Sequence, residues 1–219
     1  MLVVRHAVVG PFAENTYLVA DSETGDALLV DPGGELERVL GLREPGGFTV
    51  RRIFATHGHI DHVAGCAEAQ RRLSAPLQIH SGDVDWIEVL PQQSEMFGFE
   101  GMGEKPSLDH LHADGETFTI GEHLARVLHT PGHSRGSCCL FFERARTLLS
   151  GDTLFAGSVG RTDLPGGDFE ALERSIKEKL FPLGDDVTFF PGHGPAGTLG
   201  DERRSNPFVG ESPRRSRFL

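Results

Sequence analysis

The stretch Thr56-His57-Gly58-His59-Ile60-Asp61-His62 decides how the rest of this sequence is interpreted. It follows a segment, 52–56, whose composition predicts a β-strand. In extended backbone, residues at i and i+2 point to the same side, so the imidazoles of His57 and His59 can reach one ion. Asp61 and His62 lie farther round the turn and can point toward a second ion. The stretch therefore predicts a site for divalent metal ions.

Three further candidate ligands lie in turns that follow predicted strands. His133 follows Thr130-Pro131-Gly132, Asp152 follows a strand through Gly151, and His193 lies in Pro191-Gly192-His193-Gly194. A carboxylate at the position of Asp152 can bridge two metals. Two such metals sharing one hydroxide make a hydrolase at neutral pH. The predicted metal ligands are seven: His57, His59, Asp61, His62, His133, Asp152 and His193.

The bulk composition is that of a soluble globular protein. The chain has 219 residues, of which 38% are hydrophobic and 24% charged, and its formal net charge is -11. This charge opposes a nucleic-acid partner, because long-range attraction to phosphates is reversed. The length predicts one hydrolase domain, residues 1–206, followed by a C-terminal tail, 207–219, that carries Arg214, Arg215 and Arg217.

The sequence predicts a cytoplasmic protein without a membrane partner. The apolar run at the N-terminus is too short for a signal peptide and is interrupted by Arg5 and His6. No stretch approaches the roughly 20 apolar residues that span a bilayer. The three cysteines, Cys66, Cys138 and Cys139, are a poor disulfide framework because their number is odd and two are adjacent.

Strand-like segments dominate each half of the chain, and helices come singly between them. This pattern predicts an α/β protein in which two mixed sheets pack face to face with helices outside, a four-layer αβ/βα sandwich. Residues 91–110 carry little periodic signal and are expected to form a long loop, with a lid as one option. The predicted strands are 2–9, 15–20, 27–30, 52–56, 77–80, 117–120, 123–128, 138–142, 147–150 and 187–190, and the predicted helices are 35–43, 63–73, 83–90 and 168–179.

With these motifs the sequence resembles the metallo-β-lactamase-fold hydrolases over nearly its whole length. Within that superfamily it is most similar to the short, single-domain relatives of glyoxalase II, the hydroxyacylglutathione hydrolases. The motifs that carry this closer resemblance are His129-Thr130-Pro131-Gly132-His133-Ser134, Ser150-Gly151-Asp152-Thr153-Leu154-Phe155, the segment from Gly160 to Gly167, and the Ser-Asn-Pro-Phe sequence that ends at Phe208.

The resemblance implies a division of the ligands between two ions. His57, His59 and His133 would bind metal 1, whereas Asp61, His62 and His193 would bind metal 2. Asp152 would bridge them. Zinc is the default ion, and iron or manganese fits the same ligands, because affinity alone rarely fixes identity.

The implied reaction is hydrolysis of a thioester, with S-lactoylglutathione as the expected substrate. A hydroxide held between the metals would attack the carbonyl, and the thiolate would leave with little acid help, since thiol pKa values are about 8.5. Asp61 and Asp152 are the expected catalytic residues, Asp61 by orienting the hydroxide. The expected partner is this small molecule, and the chain is expected to be a monomer or a homodimer.

This sequence departs from the long glyoxalase II enzymes, because it stops before the helical C-terminal region that supplies basic residues to the glutathione carboxylates. Arg161, close in sequence to Asp152, is a candidate substrate-binding residue, since a guanidinium fork suits a carboxylate. A structural pair with Asp163 is the alternative. Asp31 is either an acceptor for a ligand imidazole or a turn residue.

For the remaining histidines, the cysteines and the aromatic stretch near residue 98, structural roles are considered first. His129 is expected to make supporting hydrogen bonds, and the other histidines to be structural or at the surface. The cysteines are expected to be small buried hydrophobic residues. Phe97-Gly98-Phe99 either walls the active site or anchors its own loop in the core.

Other reactions on the same fold remain alternatives. A glutathione persulfide dioxygenase resembles this chain in Gly160-Arg161-Thr162-Asp163 and would use one iron on His57, His133 and Asp152. A lactone or other ester hydrolase is also compatible with the ligands. An exported zinc β-lactamase would normally carry a cysteine in place of Asp152, and a metal-binding module without activity would turn over no ester.

Overall fold

The strands gather into two six-stranded mixed sheets in a computed structural model, which describes residues 1–98 and 103–213. The first half of the chain builds one sheet and the second half builds the other. In spatial order the first sheet contains β1 (Leu2–Val9), β2 (Glu14–Asp21), β3 (Asp26–Val30), β4 (Thr49–Phe54), β5 (Leu77–His80) and β6 (His110–His112). The second contains β14 (Gly197–Thr198), β13 (Thr188–Pro191), β10 (Thr147–Gly151), β9 (Cys138–Phe142), β8 (His123–His129) and β7 (Thr117–Ile120).

Short helices connect the strands, and a small hairpin follows β10. The hairpin pairs β11 (Leu154–Phe155) with β12 (Ser158–Val159). The helix Phe169–Ser175 continues into a wider helical turn, Ile176–Leu180. The helices are α1 (Leu36–Gly41), α2 (Ile60–Val63), α3 (Cys66–Leu73), α4 (Val84–Glu88), α5 (Leu90–Phe97), α6 (Phe169–Ser175) and α7 (Leu199–Ser205).

Three separate apolar clusters show that the molecule has four layers. Successive residues of a strand face opposite sides of its sheet, and β2 shows this clearly. Leu18 packs with the helices of the first half, whereas Tyr17 and Val19 pack between the sheets. In β9, Phe141 packs toward α6 while Leu140 faces the other sheet. The predicted αβ/βα sandwich is therefore confirmed.

The prediction of one long loop over residues 91–110 was wrong at both of its ends. The helix α5 occupies Leu90–Phe97 and the edge strand β6 occupies His110–His112. Pro91 is accommodated because it lies in the first turn of α5, where a missing N–H costs nothing. A three-residue edge strand is too short to show a period in sequence. Phe99 lies outside the described residues.

Two further differences concern helix 63–73 and the end of the chain. The predicted helix is divided into α2 and α3 because Gly65 N donates to Pro32 O. The strand at 187–190 is not the last, since β14 and α7 follow it. Val209 is buried in the cluster of the second half, so packing continues past residue 206. The predicted boundary at 206 stays a prediction, and Arg214, Arg215 and Arg217 lie outside the described residues.

Among residues 1–98 and 103–213, no helix combines the length and the hydropathy that a bilayer crossing requires.

Candidate metal centre

Four strand ends bring the predicted ligands to one edge of the sandwich. His57 and His59 follow β4, and His59 precedes α2 in extended backbone with φ -70° and ψ 148°. Asp61 and His62 lie in the single turn of α2, where successive side chains fan outward. The other three ligands follow strands of the second sheet: His133 follows β8, Asp152 follows β10 and His193 follows β13.

The first set of ligands consists of three imidazoles. His133 Nε2 lies 2.8 Å from His59 Nδ1 and 3.2 Å from His57 Nε2. Nitrogen ligands at about 2.0–2.1 Å from a tetrahedral zinc lie roughly 3.3 Å from one another. The three nitrogens therefore have the spacing of ligands to one ion, and their side chains are buried.

The second set combines a carboxylate with two imidazoles. Asp61 Oδ2 lies 3.2 Å from His193 Nε2 and 3.7 Å from His62 Nε2. The His193 side chain is 28% exposed, whereas that of His62 is fully buried. The centre therefore opens toward solvent on the side of His193, and a substrate would approach from there.

Asp152 stands between the two sets. Its Oδ2 lies 3.6 Å from His133 Nε2 of the first set and 3.6 Å from His193 Nε2 of the second, and its Oδ1 lies 3.5 Å from His62 Nε2. A carboxylate with two oxygens facing both sets can bridge two cations. The structure thus brings all seven predicted ligands together, in the two groups expected.

The chemistry of these donors suits bound metal ions. His62 Nε2 and Asp152 Oδ1 are buried and make no hydrogen bond of standard geometry within residues 1–98 and 103–213. Burial, followed by the nearby charge of His133, lowers the pKa of His59 to about 3, and burial also lowers the pKa of His57. Both imidazoles are therefore neutral at physiological pH, and the neutral form is the one that binds metals.

Hydrogen bonds behind the ligands fix their orientation. His133 Nδ1 donates to Arg161 O at 2.8 Å, which leaves Nε2 with a free lone pair facing the centre. His62 Nδ1 donates to Asp31 Oδ2 at 2.9 Å, so its Nε2 is free in the same way. Asp31 also accepts from Thr56 N at 2.7 Å and Thr56 Oγ1 at 2.6 Å. Of the two interpretations of Asp31, the structure therefore supports the acceptor for a ligand imidazole.

Gly192 shows how closely the backbone approaches these donors. A Cβ at this position would overlap Asp152 Oδ1 and would lie 2.6 Å from His62 Cε1. Only a residue without a side chain allows β13 to deliver His193 beside the other ligands. The Pro-Gly-His-Gly turn thus serves a steric purpose in addition to carrying a ligand.

Three residues beside the centre were not predicted from the sequence. Glu14 is fully buried next to His62, and burial raises its pKa well above the usual value. Asp83 is buried and accepts hydrogen bonds from two ligand-bearing loops. The ring of Trp86 lies 4.7 Å from that of His59. No local motif identifies these residues, because they come from segments distant in the sequence; a charged residue in an otherwise buried strand, as with Glu14, was the available signal.

The other predicted residues lie around the centre and not in it. Arg161 pairs with Asp163 through bonds of 2.7 Å and 2.8 Å, and both side chains are largely exposed. The structure thus contains the alternative pair, and the role of Arg161 in substrate binding stays a prediction. His129 Nε2 donates to Arg135 O, as expected of a supporting residue, and its ring stacks on that of His80. All three cysteines are buried and unpaired.

Comparison with known proteins identifies the family. Residues 9–193 match the sequence profile of the metallo-β-lactamase superfamily. The chain belongs to this superfamily. An uncharacterized protein of Aquifex aeolicus is 39% identical over 96% of this chain and 98% of its own length. A protein of Haemophilus influenzae named hydroxyacylglutathione hydrolase GloC is 35% identical over 92% of this chain and 95% of its own.

Solved structures show the same fold. The structure titled TTHA1623 in a di-iron-bound form has a TM-score of 0.83 and 38% identity, and covers 94% of this chain and all of its own. The BLEG-1 B3 metallo-β-lactamase has a TM-score of 0.84 and 33% identity, and covers 94% of this chain and 99% of its own. ETHE1 from Myxococcus xanthus, at 24% identity and a TM-score of 0.78, covers 97% of this chain and 86% of its own and shares the fold. The superfamily chain with its cluster of histidines and aspartates is thus suited to bind metal ions.

Replacing Asp31 with asparagine tests the support behind His62. The φ of Asp31 is 50°, a left-handed conformation that asparagine tolerates, so the backbone is preserved. The loss of the carboxylate that orients His62 should weaken metal binding by about 10–100-fold. Chelator competition measures this affinity. Asp26→Asn, at the other end of β3, is the control, and equal affinities in the two variants would contradict the role assigned to Asp31.

Acidification should release the ion of the second set first. Burial alone would lower the pKa of His62, but Asp152, Asp61 and Asp31 outweigh it and raise that pKa, and the pKa of His193 is raised too. Protons therefore compete with metal at this set as pH falls, whereas His57 and His59 stay neutral. For each proton that a metal ion must displace from these side chains, the affinity for the metal falls by about tenfold per unit decrease in pH.

The measurement uses Co²⁺ content between about pH 8 and about pH 6. Quenching of Trp86, the single tryptophan, reports the first set because the ring lies beside His59. Cobalt content should fall by half while the quenching persists. Loss of quenching before loss of half of the cobalt would reverse the assigned order.

Proposed function

We propose that this protein hydrolyses thioesters, with S-lactoylglutathione as the first substrate to be tested. The observation that carries the proposal is the pairing of two ligand sets across Asp152, His57, His59 and His133 on one side and Asp61, His62 and His193 on the other. The full-length similarity to a protein named hydroxyacylglutathione hydrolase supports the thioester as substrate. Zinc, iron and manganese are all compatible with the donors, and a di-iron form is known for a similar structure.

Two ions held there would supply hydroxide at neutral pH and polarise the substrate carbonyl. The protein's own contribution begins with Asp61. Its carboxylate lies 3.2 Å from Nε2 of His193, on the exposed side of the centre. An acceptor at that position can orient a nucleophile toward a carbonyl carbon. The leaving thiolate needs little proton donation, because thiol pKa values are about 8.5. No protein nucleophile is required, and the cysteines are buried, with burial raising the pKa of Cys66 well above its usual value.

The complete second set favours hydrolysis over persulfide oxidation. A single iron on His57, His133 and Asp152 would leave Asp61, His62 and His193 without a function, although their donor atoms lie within 4.8 Å of one another. The fold shared with ETHE1 does not distinguish the two reactions. A β-lactam substrate is a second candidate, because the BLEG-1 B3 metallo-β-lactamase is 33% identical over 94% of this chain.

The compartment and the partners belong to the same proposal. Three unpaired buried cysteines are in keeping with a reducing cytoplasm. The partner proposed is the small thioester itself, and the net charge of -11 opposes nucleic acid as a ligand.

Metal content and thiol release together test the reaction. The protein loaded with Zn²⁺, Fe²⁺ or Mn²⁺ should bind two ions per chain and release free thiol from S-lactoylglutathione. Asp152→Asn should lower kcat by about 100-fold or more, since the bridging charge is lost. If the protein binds one iron per chain, consumes oxygen with glutathione persulfide and releases no thiol, it is a persulfide dioxygenase and the proposed hydrolase activity is wrong. Faster turnover of a β-lactam than of any thioester would make the lactam the substrate.

Arg161 gives a second prediction, which concerns the carboxylates of glutathione. The pair with Asp163 is exposed and therefore weakened by solvent screening, so a substrate carboxylate can displace Asp163. Arg161→Ala should raise KM for S-lactoylglutathione by about tenfold with little change in kcat. Asp163→Ala is the matched control and should lower KM, because it removes the competitor. Unchanged KM in Arg161→Ala would leave Arg161 as a structural residue.

A further inference from the structure

The first ligand set is assembled from two parts of the chain that no covalent bond holds close together. His57 and His59 lie in a loop of the first sheet, and His133 lies in a loop of the second. Their nitrogens nevertheless lie 2.8–3.2 Å apart, close to the separation that ligands of one ion need. Something has to fix the distance between the two loops, because a shift of about 1 Å weakens a coordination site.

Asp83 connects these two loops directly. It lies at the end of the turn Ser81–Asp83 that follows β5, and its side chain is fully buried. Its Oδ2 accepts from Gly58 N at 2.9 Å, between the two ligands of the first loop. The same oxygen accepts from Ser134 Oγ at 2.6 Å, and Oδ1 accepts from Gly136 N at 2.7 Å, both in the second loop. One carboxylate is thus bonded to the neighbours of all three imidazole ligands.

The backbone around Asp83 is closely packed and depends on three glycines. A Cβ on Gly136 would lie 2.7 Å from Asp83 Cγ, and one on Gly58 would lie 3.0 Å from Asp83 O. A Cβ on Gly82 would lie 2.8 Å from the backbone of Arg135. The three glycines let the turn of the first half fit between the two loops. A side chain without a carboxylate at this position could not accept from all three donors.

An amide cannot replace this carboxylate. Asparagine has one oxygen and one NH₂ group, so its nitrogen would face either Gly58 N or Gly136 N, both of which are donors. One buried N–H would then lose its acceptor, at a cost that the neighbouring loop can avoid only by moving. Bonds to a charged acceptor are also the stronger ones.

We propose that Asp83 is a positioning residue that sets the separation of the His57–His59 loop and the His133 loop, and thereby the affinity for the ion of the first set. Asp83 is not one of the candidate ligands, and both of its oxygens accept from the two loops. The inference rests on the metal centre and is independent of which ester or other substrate the protein hydrolyses.

Asp21 offers a matched control at the opposite end of the sandwich. It is also a buried aspartate that connects the two halves: Oδ2 accepts from Glu122 N, in the turn between β7 and β8, and Oδ1 accepts from Glu23 N, each at 3.0 Å. These bonds, first that of Glu122, lower the pKa of Asp21 to about 2. Asp21 lies seven residues along β2 from Glu14, about 23 Å at the usual rise per residue.

The test compares Asp83→Asn with Asp21→Asn in the full-length protein. Metal-free samples are titrated with Co²⁺, with cobalt content and quenching of Trp86 as the two readouts. In Asp83→Asn the affinity of the ion that quenches Trp86 should fall by about tenfold or more, while an ion on Asp61, His62 and His193 remains. Asp21→Asn should lower the thermal midpoint without changing either affinity.

Ser134→Ala supplies a milder variant in case Asp83→Asn fails to fold. It removes one of the three bonds to Asp83 and leaves the two from the backbone. The affinity for the ion of the first set should fall by a smaller factor than in Asp83→Asn. In the double variant, the affinity should fall by less than the product of the two separate factors.

Two results would overturn the inference. One is unchanged affinity for the quenching ion in folded Asp83→Asn and in Ser134→Ala. The other is a loss of both ions in proportion to the thermal midpoint, equal in Asp83→Asn and Asp21→Asn, which would make Asp83 an ordinary stabilising residue. Absence of thioesterase activity in the unsubstituted protein would refute the proposed function and leave this comparison of affinities intact.

Discussion

Seven imidazole and carboxylate groups share a volume only a few ångströms across, and most of them are shielded from water. Buried polar groups without partners destabilise a protein, so this edge of the sandwich is tolerable only if cations or protons compensate it. Burial lowers the pKa values of His57 and His59, which keeps both imidazoles neutral, whereas for His62 three carboxylates outweigh burial and raise the pKa. The rest of the molecule can be understood as the framework that holds these groups together.

The framework has two carboxylates with distinct positions. Asp31 orients His62 from behind and ties it to Thr56, next to the first ligand. Asp83 connects the loops of the first set from the other side. Each is buried and each accepts three hydrogen bonds, so each is satisfied in spite of its charge. Burying negative charge near the ligands also favours cations at the centre, since the local dielectric constant is low.

The fold and the substrate are separate questions in this superfamily. Proteins similar to this chain over most of its length carry names as different as a hydroxyacylglutathione hydrolase and a B3 metallo-β-lactamase. A centre that supplies a nucleophile and polarises a carbonyl suits several acyl compounds. We therefore expect discrimination to depend on the exposed side of the centre, where His193 is partly exposed and where the loop of Arg161 contacts that of His133 through the bond from His133 Nδ1 to Arg161 O.

The sequence by itself determined the layers and singled out the seven candidate ligands that meet in the fold, because both leave local patterns. The spacing of His57, Gly58 and His59 after a strand follows from the two-residue period of extended backbone, and the order of strand-like and helix-like segments predicted the layers. Short elements without a clear period were not predicted from the sequence, because they depend on contacts with the rest of the fold. These elements are α5, β6, β14 and α7. Only the tertiary structure decided the roles of Glu14, Asp83 and Trp86, and the pairing of Arg161 with Asp163 in place of a free guanidinium. These depend on which segments meet in space, and hydrogen bonds between residues far apart in the chain leave no periodic signal in the sequence.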